Sequence, residues 1–262
     1  ATMNLAEKAA MAEEICHKSG EMALEYFRQS TGLVIDRKGH QDWVSEADRN
    51  VEVLIRELLD AAWPEDGIVG EEHAPKECRS GFTWVIDPID GTTNFVNNIP
   101  AWTIVLAGVQ DGKCVIGVIY DPNAGETYLA TRGGGATLNG APMRVSDAAM
   151  EDGTVSVGYS NRVRAVSIVP VIVAVISQGA MFHRNASGAL SLAYVSAGRL
   201  LGYVEEHMNA WDCLAGQLLI EEAGGRVEDQ DADAMIANGG RVVAGSTDVF
   251  DELQAIADRS WG

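Results

Sequence analysis

The sequence predicts a mixed α/β fold that contains several helices and an antiparallel group of strands. Residues 4–29 carry apolar residues at helical spacing, which predicts a long, largely buried helix. Residues 102–109, 114–120 and 127–130 are apolar or alternating segments separated by turn residues, which predicts an antiparallel meander. With 262 residues, 47% of them hydrophobic, the chain can form one large domain or two closely packed halves.

The chain up to Pro64 is predicted to contain two helices with a strand and a turn between them. Residues 33–35 are expected to form a short strand that runs into a charged turn at residues 36–40. Ser45 is followed three residues later by Asp48, a pattern similar to a capping box, so the second helix is predicted to begin at Ser45. This capping position is by itself a sufficient structural explanation of Asp48.

The stretch from residue 84 to residue 100, WVIDPIDGTTNFVNNIP, places two carboxylates at the end of a buried strand. The strand is predicted to stop at Asp87, because the proline that follows has no backbone donor and restrains the residue before it. Asp90 comes next, and residues 91–94 suit the start of a helix or a tight turn, where unpaired N–H groups can bind phosphate. Carboxylates would repel a bound phosphate unless cations lay between them, so the stretch predicts a phosphate site with Mg²⁺ or Mn²⁺ rather than zinc. An ordinary acidic turn has the same D-P-x-D-G pattern.

Other segments complete the predicted order of elements. A brief strand at residues 68–70 ends in Glu71 and Glu72, although adjacent glutamates are usually solvent-facing. The second half begins near Arg144 and is predicted to contain strands at 155–159, 182–184, 200–204 and 242–245 and helices at 187–198, 213–223 and 246–258. Residues 162–176 are ambiguous, because their β-branched content favours a strand whereas their apolar rows fit a helix.

Composition limits the classes of partner and location. The formal net charge of −19 argues against nucleic acid as a substrate, because backbone phosphates are bound by clustered Lys and Arg. It leaves small phosphorylated substrates open if metal ions invert the potential inside the site. Four widely separated cysteines indicate reduced thiols in a cytoplasm. The sequence has no apolar run near the roughly 18 to 20 residues that span a bilayer, so no membrane partner is expected.

Two motifs identify a resemblance. DPIDGTTNF, after an apolar strand, and WDCLAGQLLIEEAGG, from residue 211 to residue 225, both resemble signatures of the inositol monophosphatase family of magnesium-dependent, lithium-sensitive phosphatases. The element G-E-E at residues 70–72 also matches, and the resemblance spans nearly the whole chain. It implies a layered α-β-α-β-α fold in one domain, residues 1–262, with halves at about 3–143 and 144–262. It also implies a helix at 162–176 and a homodimer.

The resemblance implies a role for particular residues. The expected ligands of two or three Mg²⁺ ions, with Mn²⁺ possible, are Glu71, Asp87, the Ile89 carbonyl, Asp90 and Asp212. The expected catalytic residues are Glu71 and Thr92, which orient the attacking water, together with Asp90. The expected substrate-binding residues are Asp90, Gly91, Thr92, Ala186, Ser187, Gly188, Glu205 and Asp212. The expected supporting residues are Lys38 with Asp42 on a mobile loop, Asp48 beside the motif threonine, and Glu72.

Elementary electrostatics supports a metal site. Two carboxylates ~4 Å apart repel by about 4 kcal/mol at an effective dielectric constant of 20, so a cluster of four acids needs compensating cations. Divalent ions would supply this compensation, neutralise a phosphate and lower the pKa of a bound water. The sequence offers no recognisable arrangement of nucleophile and base, so no covalent phosphoenzyme is expected.

The alcohol part of the substrate is less constrained. Thr93 after the motif threonine and Glu205 seven residues before Asp212 resemble the inositol type, which favours a sugar or cyclitol monophosphate. Histidinol phosphate, fructose 1,6-bisphosphate and adenosine 3′,5′-bisphosphate remain alternatives. So do a regulatory protein that keeps the phosphatase scaffold and a calcium-binding domain without chemistry, although the D-x-[DN]-x-[DN]-G loop of calcium sites is missing.

Overall fold

A computed structural model describes the backbone of residues 4–32 and 37–262 and the side chains of residues 4–29 and 44–262. Its helices are α1 (Leu5–Gly32), α2 (Arg37–Ala62), α3 (Thr92–Val96), α4 (Val169–Ser177), α5 (Gly188–Ser196), α6 (Ala210–Glu222), α7 (Ala232–Asn238) and α8 (Phe250–Trp261). Its strands are β1 (Gly67–Gly70), β2 (Phe82–Asp90), β3 (Thr103–Gln110), β4 (Lys113–Asp121), β5 (Glu126–Thr131), β6 (Gly135–Leu138), β7 (Ala141–Pro142), β8 (Thr154–Val157), β9 (Met181–His183), β10 (Gly202–Met208), β11 (Arg226–Val227) and β12 (Gly240–Gly245).

The strands form two mixed sheets. Strands β1 to β7 lie in sequence order in a seven-stranded sheet, in which β1 and β2 are parallel and the other neighbours are antiparallel. The predicted meander is therefore confirmed in β3, β4 and β5. The second sheet has the order β11-β12-β10-β8-β9 and pairs β10 and β9 parallel to β8.

Helices and sheets alternate in five layers, which confirms the predicted fold class. Helices α1 and α2 pack on one face of the first sheet, α5 and α6 lie between the sheets, and α4 and α8 cover the outer face of the second sheet. Strand β2 contributes apolar side chains to the layers on both sides of the first sheet, because successive side chains of a strand point to opposite faces. Trp84 and Ile86 pack under α1 and α2, whereas Val85 packs against the α5 and α6 layer. The division of the chain near residues 143 and 144 stays a prediction.

The prediction for the start of the second helix is wrong. Helix α2 begins at Arg37, so residues 37–40 are helical rather than a turn, and Ser45 lies inside the helix. The reason is that Val44, Ala47 and Val51 form one buried row at helical spacing, and this row extends across the local capping signal. The strand predicted at residues 33–35 lies outside the described residues.

Two further expectations are decided by the backbone. Strand β2 continues through Pro88 to Asp90 instead of stopping at Asp87, because the pairing with β3 shifts register between these two aspartates and needs no donor from the proline. The helix predicted at residues 162–176 is confirmed only in its second part, because α4 begins at Val169, with a proline in its first turn, and ends at Ser177. A short 3-10 helix, Ala165–Ser167, precedes it, and residues 162–164 are not helical. Among the described residues, every helix is too short or too polar to cross a membrane.

Candidate metal and substrate site

Three carboxylates from two distant elements meet at one end of the first sheet. Asp87 and Asp90 lie near the C-terminal end of β2, and Asp212 lies in the first turn of α6. One carboxylate oxygen from each lies within 4.8 Å of the others. The register shift after Asp87 and the packing of α6 against β2 bring the three side chains together.

Asp90 is held in a fixed orientation by the start of α5. Its Oδ2 accepts hydrogen bonds from the Ser187 hydroxyl at 2.5 Å and from the Ala189 backbone N–H at 3.0 Å. Ser187 is also the N-cap residue of α5, where its hydroxyl accepts from Leu190 N–H. Both hydrogen bonds go to Oδ2 of Asp90, so they fix the orientation of its carboxylate.

The cluster is electrostatically unfavourable without a cation. Burial, followed by the charge of Asp212, raises the pKa of Asp90 to about 8, although its hydrogen bonds from Ser187 and Ala189 lower it. Burial, followed by the charges of Glu71, Asp212 and Asp90, raises the pKa of Asp87 well above its usual range. Within the part of the chain that the structure describes, the buried Oδ1 of Asp87 also has no hydrogen-bond partner. A set of oxygen donors with an unpartnered carboxylate oxygen fits a hard divalent cation such as Mg²⁺.

Glu71 and Glu72 directly follow β1, and Glu71 lies beside the aspartate cluster. Partial burial and then the charge of Asp212 raise the pKa of Glu71 to about 7, whereas a hydrogen bond with Asp87 lowers it. Glu71 is therefore close to two members of the cluster while remaining open to solvent on one side. Glu72 has a different environment, because its backbone N–H donates to Glu52 at 2.9 Å.

The turn after β2 places the predicted phosphate amides next to the aspartates. Gly91 has φ +95°, a left-handed conformation in which a Cβ would come within 2.9 Å of the Ala101 carbonyl oxygen. Helix α3 begins directly after it, so the first N–H groups of that helix have no intrahelical acceptor. The Thr92 hydroxyl donates to the Ile89 carbonyl oxygen at 3.2 Å, which uses one lone pair of this predicted metal ligand.

The predicted supporting residues lie in different surroundings, and their roles stay predictions. Asp48 is buried, and its Oδ1 has no hydrogen-bond partner among the side chains that the structure describes, while the Thr92 hydroxyl donates to the Ile89 carbonyl oxygen. Burial and then the charges of Glu72 and Glu71 raise the pKa of Asp48 to about 8. The side chains of Lys38 and Asp42 lie outside the described residues.

A pocket of about 120 Å³ opens from the aspartate cluster toward the second sheet. Its lining includes both Asp90 and Asp212 and all of the predicted substrate residues of the second half, namely Ala186, Ser187, Gly188 and Glu205. Ala186 has φ +62°, which is uncommon for a residue with a side chain and turns the chain sharply before α5. The acids and the predicted substrate residues thus belong to one continuous site.

Residues that the sequence analysis did not single out also line this pocket. Tyr203 donates its hydroxyl to Glu205 Oε1 at 2.5 Å, and Arg162 lies 3.6 Å from Glu205 Oε2. Burial raises the pKa of Glu205 to about 7, whereas these two neighbours lower it. The spacing Tyr-x-Glu on a predicted strand was an available signal for the tyrosine, since residues two apart share a face. Arg162 lies in the segment before α4 and has no comparable signal.

The chain is similar to known proteins over nearly its whole length. The model of the inositol monophosphatase family matches residues 4–260. The chain is 37% identical over 249 residues to the Inositol-1-monophosphatase of Rhizobium meliloti (strain 1021), covering 92% of each chain. It is 34% identical over 257 residues to the Nus factor SuhB of Escherichia coli (strain K12), covering 97% of this chain and 94% of that one. The solved structure of inositol monophosphatase from Anabaena (Nostoc) sp. PCC 7120 matches with a TM-score of 0.85 and 28% identity, covering 98% of each chain.

Proposed function

The chain belongs to the inositol monophosphatase family, and from this premise we propose that it is a Mg²⁺-dependent phosphatase of inositol monophosphate or a similar sugar or cyclitol phosphate. One observation carries the proposal. Asp87 and Asp90 at the end of β2 and Asp212 at the start of α6 bring one carboxylate oxygen each to within 4.8 Å of the others, beside a pocket whose lining includes Glu205. A structural role alone gives no reason to bury two aspartates with raised pKa values at this point.

The metal would be held by these three aspartates, with Glu71 at the open side. When bound, divalent cations neutralise the phosphate and lower the pKa of a coordinated water. The residues of the chain then have separate tasks. Glu71, whose pKa is raised to about 7, accepts a proton from the attacking water at its carboxylate. The Thr92 hydroxyl donates to the Ile89 carbonyl, so its oxygen lone pairs remain available to orient that water.

The two halves of the substrate would contact different elements. The N–H groups of Gly91 and Thr92 at the start of α3 donate to phosphate oxygens next to the aspartates. The backbone from Ala186 to Gly188 forms the wall of the pocket, and the Glu205 carboxylate accepts hydrogen bonds from hydroxyl groups of the alcohol. Glu205 is buried and keeps lone pairs that Tyr203 and Arg162 do not use, so a substrate with a matching hydroxyl group would bind better than one without it.

Release of inorganic phosphate from inositol 1-phosphate in 5 mM MgCl₂ tests the catalytic proposal. Glu71→Gln and Asp90→Asn are expected to lower kcat by about 10² or more, the usual scale for losing a general base or an electrostatic contact of the transition state. Asp111→Asn is the matched control, because it removes the same charge from an exposed turn with φ +52°, which asparagine tolerates. Normal turnover in folded Glu71→Gln and Asp90→Asn would show that the site assignment is wrong.

The choice of substrate needs a panel. Inositol 1-phosphate, histidinol phosphate, fructose 1,6-bisphosphate and adenosine 3′,5′-bisphosphate should be compared by kcat/KM. The highest value is expected for inositol 1-phosphate, because its ring carries more free hydroxyl groups that can donate to Glu205 than any of the other three compounds. A higher kcat/KM for one of the other three compounds would identify that compound, rather than inositol 1-phosphate, as the preferred substrate. Inhibition by Li⁺, which the family resemblance implies, belongs in the same assay.

We also propose that two copies of the chain pair through an apolar surface on the second sheet. Val169, Val173 and Ile176 on α4 are each more than half exposed, and Met181 on β9 is 70% exposed. The inner face of α4 is also apolar and buried, and a helix that is apolar all round is normally covered on both sides. Residues 165–182 contain no acidic or basic side chain, whereas the chain carries a net charge of −19. Such a face lets two anionic chains meet without direct repulsion.

Light scattering after gel filtration tests this pairing. The wild type is expected to be a dimer and Val173→Asp a monomer, because an unpaired carboxylate would be buried in the interface. Val53→Asp is the matched control, since Val53 is 39% exposed on α2 and outside the surface. A monomeric wild type, or a dimeric Val173→Asp, would refute the assignment of this surface.

A second candidate function is a regulatory role through contact with other macromolecules, which the similarity to proteins named Nus factor SuhB favours. The two functions separate in Asp90→Asn. In cells that lack the gene, this variant should fail to replace the wild type if phosphate release is the essential role. It should replace the wild type if contact alone matters. For either role we place the protein in the cytoplasm, consistent with its four free thiols.

A further inference from the structure

Glu205 is held in the pocket by a buried tyrosine on its own strand. Tyr203 and Glu205 are two residues apart on β10, so their side chains point to the same face. The two residues are 2% and 6% exposed, and the Tyr203 hydroxyl donates to Glu205 Oε1 at 2.5 Å. Burial and the charge of Glu205 raise the pKa of Tyr203, so the phenol stays protonated and remains the donor.

The second oxygen of Glu205 has a basic neighbour. Arg162 Nη2 lies 3.6 Å from Glu205 Oε2 and donates to the His207 carbonyl oxygen at 3.0 Å. The carboxylate is thus restrained on one side by Tyr203 and on the other by Arg162. Neither contact uses all the lone pairs of Glu205, and those that remain can accept from a ligand in the pocket.

Two glycines leave the space in which this pair fits. A Cβ at Gly158, just after β8, would overlap both Tyr203 Oη and Glu205 Oε1. A Cβ at Gly188, the first residue of α5, would lie 3.1 Å from Tyr203 Oη. Gly158 is not in a left-handed conformation, so the reason for glycine there is space rather than backbone geometry. The absence of side chains at both positions keeps the hydroxyl and the carboxylate in contact.

We infer that Tyr203 is a positioning residue that fixes the Glu205 carboxylate as the acceptor for a hydroxyl of the alcohol, and so selects polyhydroxylated phosphate esters over simple ones. The inference rests on the proposed function, because it concerns the alcohol half of that same substrate. A freely rotating carboxylate would have to be ordered when the substrate binds, which lowers affinity. A carboxylate already fixed by Tyr203 avoids that loss for a ligand with a matching hydroxyl, and gives nothing to a ligand without one.

The test compares inositol 1-phosphate with phenyl phosphate, which has no hydroxyl group. Binding is measured calorimetrically with MgCl₂ in the Glu71→Gln background, and kcat and KM are measured in the wild-type background. Tyr203→Phe is expected to lower the preference for inositol 1-phosphate about tenfold, mainly through Kd and KM, as for loss of one hydrogen bond to a charged group. Tyr128→Phe is the matched control, because Tyr128 is a fully buried tyrosine whose hydroxyl contacts Arg199 outside the pocket.

A double-mutant cycle shows whether the tyrosine acts through the glutamate. Adding Tyr203→Phe to Glu205→Gln is expected to cause little further loss of preference, because the carboxylate to be positioned is already gone. Equal effects of Tyr203→Phe on both ligands, no effect on either, or full additivity with Glu205→Gln would overturn the inference. If the wild type releases no phosphate from either compound but the binding preference still depends on Tyr203, the proposed function fails and the inference stands.

Discussion

Replacing Asp87 by asparagine should stabilise the metal-free protein and destabilise it relative to wild type once metal is added. In the metal-free state the buried carboxyl of Asp87 lies near Glu71, Asp212 and Asp90, and its Oδ1 has no hydrogen-bond partner among the described residues. Asparagine has nearly the same shape, carries no charge and can donate to a neighbouring carboxylate. With metal present, the same change removes a ligand oxygen with negative charge.

The size of the first effect follows from linkage. Burial and the neighbouring charges raise the pKa of Asp87 well above its usual range, so at neutral pH the unfolded chain releases this proton more readily than the folded protein does, and the carboxyl destabilises the metal-free fold. Water at the open side of the site reduces this cost, so we expect a gain of about 2 kcal/mol, or about 4–8 °C in Tm. The second effect is the loss of ligand stabilisation, which for wild type is about 2.7 kcal/mol at a metal concentration of 100 times Kd.

Thermal unfolding followed by circular dichroism, once in EDTA and once in 10 mM MgCl₂, measures both effects. The variant should melt above wild type in EDTA and below it in MgCl₂. Asp111→Asn should follow wild type in both buffers, which separates the effect of the site from that of one unit of net charge. An Asp87→Asn protein that melts below wild type in EDTA, or whose Tm rises as much as that of wild type when Mg²⁺ is added, would refute the reasoning.

Three more predictions concern stability. The pKa of Asp90 is about 8 in the folded state and about 4 in the unfolded state, so the metal-free protein should lose stability as the pH rises across this range. Urea unfolding at several pH values should show a smaller decrease of the free energy of unfolding with pH in Asp90→Asn than in wild type. Gly91→Ala should lower the free energy of unfolding by about 2 kcal/mol or more, because φ is +95° and the new Cβ would lie 2.9 Å from a carbonyl oxygen. Gly133→Ala is the control, because φ is +81° there but the space around the new Cβ is open, and it should cost only about 1 kcal/mol in the same assay. Asp66→Ala should lower the free energy of chemical unfolding by about 3–5 kcal/mol, because this buried carboxylate binds Lys8 Nζ at 2.8 Å and the Trp84 indole N–H at 2.9 Å. Asp60→Ala removes an exposed ion pair and should cost less than about 1 kcal/mol. Equal costs within either pair of variants would contradict these explanations.

Local sequence signals predicted the elements that supply the acids. Asp87 and Asp90 follow an apolar strand, and Asp212 opens a helix, so their secondary structure could be read from the residues around them. Their convergence could not be, because it depends on packing between α6 and β2, which are more than a hundred residues apart. The resemblance to a family supplied that step.

The predictions that failed did so where tertiary contacts override a local signal. Ser45 carries a capping pattern, but the buried row through Val44 and Ala47 extends the helix across it. Pro88 breaks the donor pattern of a strand, yet β2 absorbs it at a register shift. Tyr203 and Arg162 were not singled out, since their importance arises only from the side chains that sheet pairing and loop packing place beside them.

The central claim is that Asp87, Asp90 and Asp212 hold divalent cations in one site. Its most direct test is a crystal structure of the protein with Mn²⁺, using anomalous scattering to locate the ions. We expect strong anomalous peaks coordinated by the carboxylate oxygens of these three residues, and loss of at least one peak in Asp90→Asn. Well-ordered crystals in which Mn²⁺ binds elsewhere, with the three carboxylates free of metal, would contradict the account.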